Sequence, residues 1–158
     1  MFLVRYTAVS ILFVLMIAAA VPAAAENPAP YPGMRQIDTK TPFAAYVKKL
    51  TAAIGANKMG IVAHACATCG ARNIGVTIPG NNVIMIYHPK FAVRMLKASI
   101  AAGIEAPLRL YVTEQASGTA KLTYRLPSHT FGVYKVPALD VMAKELDAIV
   151  AKIVADAG

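Results

Sequence analysis

Residues 107–126, PLRLYVTEQASGTAKLTYRL, decide the fold class of this chain. Apolar and polar residues alternate in PLRLYVTE and again in TAKLTYRL, a period that is typical of strands burying one face. The QASG segment between them ends at Gly118 and predicts the turn of a β-hairpin. Arg109 and Lys121 point away from the apolar side, so one face of the sheet meets water. We therefore expect an antiparallel or mixed sheet with helices on one face, an α+β fold.

Helical patterns stand on both sides of this hairpin in the sequence. The segment TPFAAYVKKLTAAIGANKMG predicts a helix with Thr41 as N-cap and Pro42 in the first helical position. Its apolar stripe consists of Phe43, Val47, Leu50 and Ile54. From Pro137 onward the chain predicts a long closing helix. The buried stripe expected on that helix consists of Met142, Leu146, Ile149, Val150 and Ile153.

Shorter segments complete the expected order. MGIVAHA and NNVIMIYHP are apolar and rich in β-branched residues, so each predicts a strand. KFAVRMLKASIAAG predicts a helix that carries Phe91, Met95 and Ile100 and ends at Gly103, and RQIDTK can add a first strand. The predicted order is strand, helix, four strands and helix, with a curved and mostly antiparallel sheet.

The N-terminal residues 1–25 have the pattern of a secretory signal peptide. Arg5 precedes the apolar run AVSILFVLMIAAA, and Ala23-x-Ala25 is the small-residue pattern that signal peptidase cleaves. We expect cleavage near Ala25-Glu26 and a periplasmic or secreted product; the alternative is a retained membrane anchor. Residues 26–40 then form a proline-rich linker and the possible first strand, and residues 41–158 form a single domain.

The chain is basic, but its positive charges are scattered along the sequence. The whole chain has a net charge of +8, and Lys48-Lys49 is the only adjacent basic pair after the leader. An exported domain with scattered charges does not need a nucleic-acid partner. We expect no nucleic-acid binding, and no stable membrane insertion once the leader is removed.

Three segments, VIMIYHPKFAVRML, GIEAPLRLYVTE and SGTAKLTYRLPS, resemble the bacterial family called domain of unknown function 302. Pro89-Lys90 and Ala106-Pro107-Leu108 match the prolines of that family, and the resemblance covers roughly residues 41–134. It implies a strand, a helix, four antiparallel strands and a closing helix, often in a homodimer. The activity of the family is not established, so the resemblance implies no catalytic residue.

Two positions and one motif depart from this resemblance. His88 stands where the family usually has Asn, and Ala63 stands where an Asp precedes the histidine that corresponds to His64. The cysteines of HACATCG, Cys66 and Cys69, are not a family feature. Any chemistry that they carry therefore belongs to this branch alone.

Cys66 and Cys69 are the only thiols, and an exported chain meets oxidising conditions. A disulfide between them closes a small ring and stabilises the fold little. A redox role is one hypothesis. A strand that leads into a helix places the first cysteine at the helix N-terminus, whose partial positive charge favours the thiolate, and a protonated His64 would favour it further. EAPLRLY resembles the proline-led strand beside the thioredoxin dithiol, but GARNIG and VTIPGNN leave no room for the long thioredoxin helix.

Metal binding is a second hypothesis for the same stretch. His64, Cys66 and Cys69 offer soft ligands for zinc or copper, and His88 or His129 can supply a fourth. A third interpretation treats the cysteines as small buried residues or an incidental disulfide. The sequence alone leaves all three open.

No other catalytic set stands out: the acids are dispersed, and the glycines mark isolated turns. Met85, Tyr87, Tyr111 and Tyr124 are candidates to line an apolar cavity between the sheet and the last helix. We therefore expect a binding or interaction module, dimeric, with a small and partly apolar ligand. The alternatives are a dithiol-disulfide oxidoreductase using Cys66 and Cys69, and a zinc or copper protein.

Overall fold

The computed structural model describes residues 31–158, so the expected signal peptide and the first five linker residues lie outside the described part. Five strands and five helices follow one another along it. They are β1 (Met34–Pro42), α1 (Phe43–Ala56), β2 (Gly60–Cys66), α2 (Ala67–Asn73), β3 (Asn81–Tyr87), α3 (Pro89–Ala98), β4 (Leu108–Glu114), β5 (Thr119–Arg125), α4 (Pro127–Gly132) and α5 (Pro137–Ala157). A 3₁₀ turn, Ala101–Glu105, joins α3 to β4. The predicted α+β order is confirmed, with small helices inserted between the strands.

The five strands form one open, fully antiparallel sheet in the order β1-β5-β4-β3-β2. The central hairpin is the one that the alternation predicts, with Gly118 in its turn at a positive φ of 79°. The first strand pairs with the last, Met34 opposite Arg125. The two edges of the sheet are therefore β1 and β2.

Alternation along the strands separates a covered face from an open face. In β3, Asn82, Ile84 and Ile86 are buried, whereas the residues between them are only half-buried. Ile84 lies opposite Leu110, which lies opposite Tyr124, so this face continues across the sheet. It carries the hydrophobic core.

Helices α1 and α5 supply the other half of the core. Leu50 and Ile54 of α1 are fully buried, and α5 buries Met142, Leu146 and Ile153, as the apolar stripes predict. At roughly 25 cal/mol per Å² of apolar surface, burial of these side chains is the main force that holds the helices on the sheet. None of the helices within residues 31–158 is long and apolar enough to cross a bilayer.

Three local predictions differ from the structure. The first helix begins at Phe43, with Pro42 as the cap and no side-chain capping bond from Thr41, because residues up to Pro42 remain in strand β1. The third helix ends at Ala98, and Ile100 beyond it is 83% exposed rather than packed. The expected domain boundary at residue 41 leaves out β1, although β1 is part of the sheet.

Candidate functional site

A disulfide joins Cys66 and Cys69 at the junction between β2 and α2. Cys66 ends the strand and caps the helix: its Sγ accepts a hydrogen bond from the Cys69 backbone N–H at 3.1 Å. Cys69 is exposed and Cys66 is half-buried. The interpretation of the pair as two small buried residues is therefore wrong, since Cys69 is exposed, whereas an incidental disulfide stays a prediction.

The surroundings of the disulfide leave the sulfurs accessible. Strand β2 is exposed along almost its whole length because it is an edge strand that the helical layer does not cover. The neighbouring side chains are small: Ala65, Ala67 and Gly70 are all exposed, and a Cβ added at Gly70 would meet no atom within 4 Å. A second molecule can therefore approach the disulfide without displacing a bulky side chain.

Asn82 of β3 lies directly opposite Cys66 in the antiparallel register. Directly opposed residues point to the same face of a sheet, with Cβ atoms about 5 Å apart. The side chain of Asn82 is 7% exposed, and its Oδ1 has no hydrogen-bond partner among the described residues. An unpaired buried acceptor costs about 1–3 kcal/mol, so this atom can accept a hydrogen bond from the thiol that reduction would create at Cys66.

The histidines do not gather around the sulfurs. His64 is exposed and shares a face with Cys66, two residues away along β2. His88 follows the far end of β3, six residues from Asn82, which corresponds to about 20 Å at the rise per residue of a strand. The Nδ1 of His88 accepts a hydrogen bond from the Lys90 N–H at 3.2 Å. His129, the other candidate for a fourth ligand, is in helix α4.

No metal-ligand cluster is assembled within residues 31–158. They contain no group of three or more His, Cys, Asp or Glu side chains that could hold an ion. The sulfurs of Cys66 and Cys69 are bonded to each other, so neither is available as a thiolate ligand. Zinc or copper binding at this site would first require reduction of the disulfide.

The proline of EAPLRLY lies far from the disulfide. The Ala106-Pro107 peptide bond is cis and immediately precedes β4. Leu108 pairs with Ile86, which pairs with Ile61, so this end of the sheet is opposite the end that carries Cys66. The resemblance to the thioredoxin arrangement therefore does not extend to the placement of this proline.

The four residues expected to line one cavity lie on two faces of the sheet. Tyr124 faces the helices. Met85 and Tyr111 alternate with buried neighbours and belong to the open face, whereas Tyr87, the last residue of β3, lines the cavity between the sheet and the helices. A shallow groove of about 220 Å³ on the open side is lined by Tyr111 together with Arg109, Thr123 and Arg125.

Between the sheet and the last helix the free space is small. The cavity there, lined by Met95, Phe131, Met142 and others, has a volume of about 30 Å³. Ligand sites for drug-sized molecules usually measure about 300 Å³ or more, whereas one water needs about 10–15 Å³. This cavity therefore holds at most a water-sized guest.

The shifted pKa values belong to structural groups away from the disulfide. Burial raises the pKa of Tyr46 and of Tyr124, and both phenols pack in the core. The hydrogen bond from Arg94 lowers the pKa of Glu145, in a two-pronged ion pair between α3 and α5. The hydrogen bonds from Lys152 and Asn57 lower the pKa of Asp156.

Asn82 is the site residue that the sequence interpretation missed, although a signal for it exists. Asn82 stands two and four residues before Ile84 and Ile86, so the alternation of β3 already places its side chain on the buried face. A polar residue at an inward position of a strand needs a partner, and only the pairing of β2 with β3 shows which residue lies opposite.

Comparison with known proteins places this fold in a family. No curated protein matches the sequence. The crystal structure of an uncharacterized conserved DUF302 protein from Bacillus stearothermophilus superimposes with a TM-score of 0.72 at 19% identity, covering 80% of this chain and 99% of that one. The family model "Domain of unknown function DUF302" matches residues 35–157, which include every strand and helix described above except the first residue of β1. The chain therefore belongs to the DUF302 family.

Proposed function

We propose that this protein is an exported thiol–disulfide exchange protein that acts through Cys66 and Cys69. The observation that carries the proposal is a surface disulfide, with Cys69 exposed, in which Cys66 Sγ accepts a hydrogen bond from the Cys69 backbone N–H. A four-residue ring stabilises a fold by only about 2 kcal/mol in the loop-entropy model, which makes a purely structural purpose weak. Export follows from the signal-peptide pattern and supplies the oxidising compartment.

The exchange has a defined direction at the two sulfurs. A substrate thiolate attacks the exposed Cys69 Sγ, forms a mixed disulfide there and releases Cys66 as a thiolate. The Cys69 N–H that already binds Cys66 Sγ stabilises this leaving group. A second substrate thiolate then attacks the substrate sulfur of the mixed disulfide and releases Cys69. Two electrons pass from the substrate dithiol to the protein, and the two thiol protons end on Cys66 and Cys69.

Binding of a small apolar ligand is less well supported. The space between the sheet and α5 is about 30 Å³, and of the four residues expected to line it only Tyr87 does so. The homodimer implied by the family stays a prediction. It is checked by light scattering on the purified chain.

The proposal is tested by the rate of reduction of the disulfide. The oxidised protein is mixed with reduced dithiothreitol, the thiols are alkylated at timed intervals, and the mass shift is counted. We expect reduction about ten-fold faster than that of oxidised glutathione under the same conditions, because the leaving thiolate is stabilised. A Cys66→Ser variant, mixed instead with oxidised glutathione, should accumulate the mixed disulfide of Cys69 with one glutathione and release the other as a thiol. Reduction no faster than that of glutathione disulfide would contradict the exchange function.

A further inference from the structure

We propose that the free edge of β2 is the docking site for the substrate, an extended and neutral-to-acidic polypeptide segment that carries a cysteine. This inference rests on the exchange function proposed above and names its substrate class. The segment would add to the sheet as a sixth strand and bring its cysteine to Cys66 and Cys69.

The backbone of β2 is available for pairing. Strand β2 lies at the end of the sheet and pairs with β3 alone. Apart from that ladder, no described residue hydrogen-bonds to the backbone of residues 61–65. The outward N–H and C=O groups of an edge strand form a template that recognises the backbone of another extended chain.

The two edges of the sheet differ in their protection. Strand β1 carries the exposed charges Arg35, Asp38 and Lys40 and ends at Pro42, which are the usual means of blocking further pairing. Strand β2, GIVAHAC, contains no lysine, arginine, acid or proline. Only β2 therefore combines free backbone groups with an uncharged surface.

Side chains of β2 add apolar contacts for an incoming strand. Ile61 is 39% exposed and Val62 is 55% exposed, and the strand continues with the smaller side chains of Ala63 and Ala65. The register is irregular between Ile61 and Ala63 but regular from Ala63 to Cys66. The regular part ends at the disulfide, so a strand paired along it passes about 4.8 Å from Cys66.

The charge around this edge selects the kind of segment. No aspartate or glutamate occurs between Asp38 and Glu105, the stretch that forms α1, β2, α2, β3 and α3. The same stretch contains eight basic residues, which are Lys40, Lys48, Lys49, Lys58, Arg72, Lys90, Arg94 and Lys97. Acids from other elements meet this stretch at two places, where Glu145 pairs with Arg94 and Glu114 accepts the Gly80 N–H. The net positive charge that remains attracts acidic chains and repels basic ones.

The test uses a peptide probe whose cysteine is activated as a mixed disulfide with thionitrobenzoate. The peptide alternates valine and threonine, with one aspartate and a central cysteine, and its control is N-methylated on one edge so that it cannot join a sheet. The protein is the full chain with Cys66→Ser, whose Cys69 thiolate attacks the peptide sulfur and releases thionitrobenzoate, which is measured by absorbance.

We expect the plain peptide to react about ten-fold faster than its N-methylated form, since docking raises the effective concentration of the thiol. Adding Ala63→Lys should reduce this ratio to about two or less, because a lysine blocks the edge. The matched control is Gln36→Lys on β1, which should leave the ratio unchanged. Taking the ratio cancels any change in the thiol pKa that the added lysine causes.

The outcomes separate the two proposals. A ratio near one, with normal reaction of cysteine–thionitrobenzoate, overturns the docking site and leaves the exchange function standing. A Cys69 thiol that reacts with neither probe overturns the exchange function itself. A third outcome also overturns the proposal: the protein is a dimer, Ala63→Lys converts it to a monomer, and the plain and N-methylated peptides react at nearly equal rates. The edge of β2 would then bind a second copy of the chain.

Discussion

Replacing Asn82 with leucine is expected to make the Cys66–Cys69 disulfide harder to reduce. In the oxidised protein neither sulfur carries a proton, and the Asn82 Oδ1 has no hydrogen-bond partner among the described residues. Reduction gives Cys66 an S–H group opposite this acceptor in the register. The dithiol form can therefore gain a hydrogen bond that the disulfide form lacks, and leucine removes that gain while keeping a similar side-chain volume.

The size of the effect follows from the energy of one hydrogen bond. A net contribution of about 1 kcal/mol is typical, and the weak S–H donor does not exceed it. For a two-electron couple this corresponds to about 20 mV, or about five-fold in the equilibrium constant with a reference dithiol. We expect the midpoint potential of Asn82→Leu to be lower by that amount.

The assay is equilibration of the full chain in a series of dithiothreitol redox buffers, followed by alkylation and mass spectrometry. The matched control is Thr123→Val, because Thr123 is equally buried at 7% exposure but lies in β5, away from the sulfurs. The control should leave the midpoint unchanged. A midpoint for Asn82→Leu that is unchanged or higher, or a shift shared by the control, would refute the reasoning.

Three further predictions concern stability. Replacing both cysteines with alanine should lower the unfolding free energy by at most about 2 kcal/mol, measured by urea titration; a larger loss would indicate a structural disulfide. Gly33→Ala should lower the unfolding free energy more than Gly118→Ala. Both glycines have positive φ, but an added Cβ overlaps the His129 ring at Gly33 and meets no atom at Gly118. Equal losses of unfolding free energy would contradict this. The hydrogen bond from Arg94 lowers the pKa of Glu145, so the ion pair stabilises the fold fully above pH 4.5 and less as the pH falls through the lowered pKa of the folded state. Glu145→Gln should therefore flatten the curve of unfolding free energy against pH below pH 4.5. A curve that this substitution leaves unaltered would show that the pair contributes nothing.

The fold could be predicted because its signals are local. Alternation in β4 and β5 marks a half-buried hairpin, and the spacing of Met142, Leu146 and Ile153 marks the face of α5. Helix boundaries were less accurate, since the chain around Thr41 and Pro42 fits both the end of a strand and the start of a helix. Pairing with β5 decides between them.

The site could be predicted only in part, because its setting depends on the order of strands in the sheet. The cysteine spacing allowed a disulfide without deciding between it, free thiols and a metal site, and the apolar sequence of β2 is equally compatible with a central strand. Its position at the edge, the exposure of Cys69 and the opposition of Cys66 to Asn82 are tertiary facts. The same reason explains why Pro107 could not be placed relative to the cysteines.

The pairing of β1 with β5 also constrains when this domain can be completed. Met34 and Arg125 are partners although 91 positions separate them in the chain, counted from 34 to 125. A strand whose only neighbour comes so late cannot take its place until nearly all of the polypeptide has emerged, and closing such a long loop is slow. In a chain threaded from its N-terminus through a narrow translocation channel, β1 would thus stay unpaired until Arg125 had crossed, with only 33 of the 158 residues still to follow.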